Sequence, residues 1–206
     1  QLGSLSIGTL RSPASQAAKR EFIKDLKNKY QSIEKLNQSW GTEYASWEER
    51  LNSTDVSGLD QYHEDFIKFY EKLASAYFSI VNSELKRIAP NQNYLGCRFA
   101  WANNDIVLSA AAKSMDIMSF NKYEYSVESL KLPKGVDKPV MIGEFHFGAL
   151  DRGSFHVGVK AAESQEDRGQ KYQDYIQGAL RNPQIVGAHW FQYLDEPLTG
   201  RFDGEN

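Results

Sequence analysis

The chain has 206 residues, a formal net charge of −3, and 41% hydrophobic against 25% charged residues, a balance that suits a compact globular domain. So small a charge leaves no electrostatic footprint for nucleic acid and no polybasic membrane anchor. No apolar run approaches the roughly 20 residues that a membrane-spanning helix needs, so neither nucleic acid nor membrane is an expected partner.

From Ala17 to Leu36, the residues Phe22, Ile23, Leu26, Tyr30, Ile33 and Leu36 recur at helical spacing. Ser12-Pro13 reads as the start of this helix, because Pro is tolerated in a first turn. The stretch Asn37 to Ser53 reads as a loop with short helical pieces, in which Trp40 and Trp47 are packing residues. Asp60 is a candidate N-cap with Glu64 at about capping-box distance. A long amphipathic helix follows, with a buried stripe of Phe66, Phe69, Leu73, Tyr77, Ile80, Val81, Leu85 and Ile88, and Pro90 ends it.

Beyond Pro90 the rhythm changes to short apolar runs alternating with helical segments. Strands are expected at Tyr94–Phe99, Met115–Phe120, Val140–Phe145 and Ile185–Phe191. Between them lie a short helix at Ile106–Lys113, a turn at Ser126–Leu132 and a helix at Glu163–Leu180, stopped by Asn182-Pro183. Apolar strands separated by helices predict an α/β fold with a parallel sheet. Four such strands behind one long helix make half of a (β/α)₈ TIM barrel, strands 5–8 with their helices; a whole barrel takes about 250 residues. Cys97, the only cysteine, excludes a disulfide framework and reads as a small buried hydrophobe. The chain opens on Gln1 rather than Met and shows no signal peptide; both ends read as cut.

In barrels, chemistry gathers at the C-terminal ends of the strands. There the sequence offers Arg98, Trp101, Asn103 and Asn104 after the first strand, and Asn121, Tyr123 and Tyr125 after the second. Glu144, His146 and the loop Asp151-Arg152-Gly153 follow the third, and His189, Trp190, Gln192 and Asp195 the fourth. Carboxylates, amides, an arginine and aromatic rings are the inventory of a carbohydrate site. Glu144 at the end of the apolar run Val140-Met141-Ile142-Gly143 needs a reason, because glutamate is seldom buried without a partner. It is either a nucleophile or acid/base, or a structural carboxylate paired with an arginine. Arg98 either orients that carboxylate or forms the structural pair. Trp190 is a sugar platform or a core tryptophan, and His146 and His189 either touch substrate or are satisfied interior histidines. No His-Glu-x-x-His, glycine-rich phosphate loop or Gly-x-Ser-x-Gly occurs. No metal-ligand cluster is apparent, and no cofactor is expected.

The run from Ile142 through Gly143-Glu144-Phe145-His146-Phe147-Gly148 to Asp151-Arg152-Gly153 resembles the nucleophile-strand motif of the glycoside hydrolase family 50 β-agarases. Val186-Gly187-Ala188-His189-Trp190-Phe191-Gln192-Tyr193 is similar to their last barrel strand, and Thr199 to Asn206 to the stretch after it. The segment Lys29 to Thr42, with Leu36-Asn37-Gln38-Ser39-Trp40-Gly41, and Ser46-Trp47 beyond it, resembles the one that follows the acid/base strand there and in the family 42 β-galactosidases.

The resemblance implies hydrolysis of β-1,4-galactosidic bonds in agarose by a retaining double displacement, with Glu144 as nucleophile. It implies substrate contacts from Arg98, Asn121, Tyr123, His146, Asp151, Arg152, His189, Trp190 and Gln192. A second carboxyl about 5–5.5 Å away is expected in a retaining site. In the wider clan it belongs to an Asn-Glu pair on the fourth barrel strand, and no Asn-Glu dipeptide occurs in this chain.

Residues 1–206 are thus expected to form the C-terminal part of one catalytic domain whose first half, with the acid/base, lies outside them. The isolated segment is expected to be inactive or nearly so, and to self-associate through open half-barrel edges. The parent is expected to be extracellular or periplasmic, acting on agarose or galactan oligosaccharides. The competing readings are a β-galactosidase of related fold and a non-catalytic galactan-binding module.

Overall fold

The chain divides into two compact units, Gln1–Ala76 and Tyr77–Asn206. The structure is a computed structural model that describes residues 3–60, 63–100 and 104–194. Trp101, Asn103, Asp195 and the segment 199–206 singled out above lie outside the described residues.

The first unit is helical. It contains α1 (Ser4–Arg11), α2 (Ala17–Tyr30), α3 (Ile33–Trp40), α4 (Trp47–Asn52) and the start of α5 (Glu64–Ile88). The single helix expected over Ala17–Leu36 is split in two. Gln31 sits at φ 65 and its N–H closes on Lys27 O, while the Ser32 side chain accepts the Lys35 N–H and starts α3. Helix α2 also begins later than Ser12-Pro13: Ser12 caps the C-terminus of α1, and Gln16 caps α2. Leu10, Phe22, Ile23, Leu26, Ile33, Leu36, Trp40, Phe66 and Phe69 form the core.

Asp65 ties this core together. It is 4% exposed; Oδ1 accepts from Lys29 Nζ (2.6 Å), and Oδ2 from Tyr30 OH (2.7 Å) and Trp40 Nε1 (2.8 Å). Trp40 is therefore a packing residue, as expected, although it closes α3 rather than lying in a loop. Burial alone would push the Asp65 carboxyl up, but the hydrogen bonds from Lys29, Trp40 and Tyr30 hold it below the usual carboxylate range. A carboxyl lowered on folding contributes stability above its unfolded value of about 3.9, and that contribution disappears as pH falls through the folded value. The gap in melting temperature between the wild-type protein and Asp65→Asn is accordingly expected to be full at neutral pH and to close as pH falls below about 4. A gap that stays constant down to pH 3 contradicts this.

The second unit carries the sheet. Its strands β1 (Met118–Asn121), β2 (Val140–Phe145) and β3 (Ile185–Trp190) are parallel in the order β1-β2-β3, so β2 is central. The α/β prediction with parallel strands is met. The helices α6 (Asp105–Ala112, capped by Asn104) and α7 (Gln165–Arg181, capped by Ser164) fall where expected.

Of the strand expected at Tyr94–Phe99, only Phe99 pairs. Its N–H donates to Ser119 O (2.9 Å), and its carbonyl accepts from the Asn121 N–H (2.8 Å). Gly96 interrupts the run: it sits at φ +68, and the Met115 side chain occupies the place a Cβ would take. Cys97 is exposed rather than buried.

The second half of the α5 stripe also differs from expectation. Phe78 is buried against Phe99 (6.1 Å between ring centroids), whereas Tyr77 (57%), Ile80 (64%) and Ile88 (72%) are exposed.

Among the described residues, no helix is long and apolar enough to cross a membrane.

Candidate active site

A strand exposes alternate residues to its two faces, and strict alternation along β2 would put Glu144 on the same side as Ile142. The register breaks that rule. Phe120 is opposite Ile142 but Asn121 is opposite Glu144, and on the other side Ala188 is opposite Ile142 while Trp190 is opposite Phe145. One extra residue, Gly143, is inserted on β2 against both neighbours. This is a bulge, a device that re-aims a side chain.

The consequence is a clean division of faces. Val140, Ile142 and Phe145 are each fully buried, and Phe145 stacks on Tyr175 of α7 at 4.0 Å and 3°. Glu144 turns to the opposite face, together with Arg98.

Arg98 Nη1 lies 2.7 Å from Glu144 Oε1, and Tyr123 OH donates to Oε2 at 2.7 Å. Each carboxylate oxygen thus has one strong donor, which fixes the plane of the group. The Glu144 side chain is 15% exposed, so it is shielded yet reachable. Gly143 serves the arrangement directly: a Cβ there would stand 2.4 Å from Arg98 Cδ and 3.0 Å from Ser119 Oγ. The bare backbone lets the arginine stem pass to Glu144.

The turn carrying Tyr123 is held at both ends. The Lys122 N–H donates to Glu144 O (2.9 Å), and Tyr175 OH donates to Lys122 O (2.8 Å). Burial pushes the Tyr175 hydroxyl well above its ordinary value, which keeps it a donor. Replacing Tyr123 with Phe removes one of two donors to Glu144 and is expected to lower kcat about tenfold, the scale of a hydrogen bond to a charged group. Steady-state kinetics on the full-length protein checks this, and a change confined to KM would contradict it.

The other predicted residues separate into groups. Asn121 lies opposite Glu144 in register, and its Oδ1 is buried with no hydrogen-bond partner among the described residues. His146 is adjacent, with its ring edge-on to Tyr123 (4.9 Å between centroids, 69°). His189 is exposed and lies one residue past Ala188, the partner of Ile142, so strand alternation puts it on the Glu144 face.

Trp190 points the other way. Its ring packs on Phe145 (5.4 Å) and Tyr172 (5.6 Å) with Arg168 over its face (5.2 Å), on the α7 side of the sheet. Gln192 is exposed, and its carbonyl accepts from Trp190 Nε1 (3.0 Å). Asp151 receives the Gln165 N–H (3.1 Å) at the start of α7, and Arg152 is exposed.

Two contributions were invisible in the sequence. One is the bulge at Gly143, and the other is the Tyr175 hydroxyl behind the Tyr123 turn. Their only sequence signals were a lone glycine before Glu144 and one more aromatic on an amphipathic helix. Among the described residues, no group of three or more His, Cys, Asp or Glu is placed to hold a metal ion.

A carboxylate at the C-terminal end of a central parallel strand, held by an arginine and a tyrosine, sits where functional residues gather in α/β barrels. A family model described as β-galactosidase, of glycoside hydrolase family 42, matches residues 9–152, Glu144 included. β-Agarase B of Vibrio sp. (strain JT0107) is 45% identical over 213 residues, covering 100% of this chain and 22% of that protein. The crystal structure of an agarase, AgWH50C, superposes with a TM-score of 0.90 at 46% identity over 99% of this chain and 30% of that one. The structure of an exo-β-agarase gives a TM-score of 0.90 at 42% identity, covering 99% of this chain and 28% of that one. The chain spans about a fifth of the length of the curated relatives it matches. It belongs to the glycoside hydrolase family that the β-galactosidase model describes, as a segment of the family 50 β-agarase type.

Proposed function

We propose that the protein carrying this chain is an agarose-degrading glycoside hydrolase that cleaves β-1,4-galactosidic bonds with retention, and that Glu144 is its nucleophile. One observation supports the role of Glu144 above others: both its oxygens are held by donors, Arg98 beside the Phe99 bridge and Tyr123 just past β1. The group is fixed in plane while remaining open to the face away from α7. On this reading Glu144 attacks the anomeric carbon, the glycosidic C–O bond breaks, and a glycosyl-enzyme ester forms. A second carboxyl protonates the leaving oxygen, then removes a proton from the water that hydrolyses the ester.

That acid/base belongs to the part of the polypeptide outside this chain, as does the first half of a (β/α)₈ barrel whose later strands are Phe99, β1, β2 and β3. The exposure of Val186 (59%) and Leu180 (80%) beside the edge strand supports a missing neighbour. The isolated segment is therefore inactive or nearly so, and prone to self-association. Asn121, His189 and Asp151-Arg152 are assigned to the sugar-facing side or its rim. Trp190 joins them only if its ring leaves the α7 side. Agarose is a polymer too large to enter cells, so the site of action is extracellular or periplasmic.

A second reading, a β-galactosidase acting on small galactosides, is favoured by the description of the matching family model. Assay of the full-length protein on agarose and on a nitrophenyl β-galactoside separates the two. Release of neoagaro-oligosaccharides with little nitrophenol supports the agarase; the reverse supports the galactosidase. Binding to agarose without turnover of either supports a non-catalytic module.

A further inference from the structure

We propose that His146 is a positioning residue. It fastens the base of the loop after β2 to the Tyr123–Glu144 pair, and it is not a ligand for substrate through its Nε2. The proposal rests on the reading of Glu144 as nucleophile.

The imidazole Nε2 accepts the Val159 N–H at 2.8 Å. A ring nitrogen has one in-plane lone pair, so Nε2 is spent and the neutral ring carries its proton on Nδ1. The backbone also closes over that edge: a Cβ on Gly158, which sits at φ +69, would stand 2.3 Å from Nε2 and 2.7 Å from Cε1. Gly158 is what allows the loop to lie against the ring, and a sugar hydroxyl cannot share that place.

Behind His146 the loop base is pinned by three more hydrogen bonds. The Gly148 N–H donates to Lys160 O (2.8 Å), and the Ala162 N–H to Gly148 O (2.7 Å). Tyr125 OH donates to Ala161 O (3.2 Å). In contrast, residues 150–156 are exposed. The loop thus has a fixed base and a solvent-exposed tip.

In front of His146, the ring meets Tyr123 edge-on at 4.9 Å, and Tyr123 OH holds Glu144 Oε2. His146 thus touches both the loop base, through Val159, and Tyr123. Shifting it moves Tyr123, and with it one of the two donors that orient Glu144. Misplacement by about an ångström at a reacting group is worth up to about 10²-fold in rate.

The test is a double-mutant cycle on the full-length protein, with His146→Leu, Tyr123→Phe and their combination, together with His146→Gln and Glu144→Gln. Expected for His146→Leu is a fall in kcat of up to about tenfold, with KM for agaro-oligosaccharides within about twofold. The combination is expected to be little worse than Tyr123→Phe alone. His146→Gln, whose side-chain amide reaches the same point and can accept from the Val159 N–H, is expected to recover most of the lost kcat.

A His146→Leu effect on KM with kcat unchanged, or full additivity with Tyr123→Phe, overturns the proposal. Glu144→Gln distinguishes the two levels. If that variant keeps its turnover, the nucleophile reading has failed. If it is inactive while the cycle is additive, only the role of His146 has failed.

Discussion

Glu144→Gln in the full-length protein is expected to lower kcat on agarose by about 10⁴-fold or more, the scale on which removal of one member of a covalent catalytic unit acts. Binding of agaro-oligosaccharides should survive. Glutamine has nearly the same shape, and its carbonyl oxygen can still accept from Tyr123 OH. What it loses is the charge that pairs with Arg98 Nη1 and, on the proposed mechanism, the ability to form an ester with the anomeric carbon. The Arg98 side chain is half exposed at 53%, so breaking its pair leaves the arginine hydrated and costs little stability. Calorimetry and steady-state kinetics on the same preparation separate these effects. A variant that melts like the wild type and binds oligosaccharide but does not turn over fits the account. One that turns over at a tenth of the wild-type rate does not.

Gly143→Ala is expected to lower kcat by about 10²-fold with only a small change in melting temperature. The added methyl would meet Arg98 Cδ at 2.4 Å, closer than carbon atoms approach one another, and would press on Ser119 Oγ at 3.0 Å. The strand cannot yield easily, because β2 is hydrogen-bonded on both sides. The arginine stem yields instead, and its guanidinium leaves the 2.7 Å contact with Glu144 Oε1. The carboxylate then keeps only the Tyr123 donor. Arg98→Ala reaches the same end by another route, so the two changes combined should cost little more than either alone. Full activity in Gly143→Ala would mean that orientation of Glu144 by Arg98 does not matter for turnover.

The β2 segment was legible in the sequence because an apolar run bounded by Pro139 and a polar residue has few other readings, and Val140–Phe145 matches residue for residue. Helix α6 was legible through Asn104, whose side chain accepts the Val107 N–H at 3.0 Å. Tyr94–Phe99 misled, because apolar content cannot show that Gly96 takes a left-handed conformation against Met115. The α5 stripe misled in its second half because helical period fixes which residues share a face, not whether anything covers it. That Tyr77, Ile80 and Ile88 are open while Phe78 is buried is decided by tertiary packing.

In the site, the pairing of Glu144 with an arginine could be guessed from chemistry. The face on which they meet could not, because the bulge at Gly143 inverts the parity that alternation assumes. The position of Trp190 turned on the same parity: it lies opposite Phe145, on the side where α7 supplies Tyr172 and Arg168. Neither register slip leaves a mark in residue type beyond a single glycine.

The most direct measurement is covalent trapping. The full-length protein is incubated with a 2-deoxy-2-fluoro-β-galactosyl donor bearing a good leaving group, then digested and mapped by mass spectrometry. The fluorine slows hydrolysis of the ester, so a true nucleophile retains the sugar. One fluorogalactosyl adduct is expected, carried by the peptide that contains Glu144 and absent from Glu144→Gln. An adduct on another carboxylate, or turnover with inverted anomeric configuration and no adduct, would contradict the role proposed for Glu144.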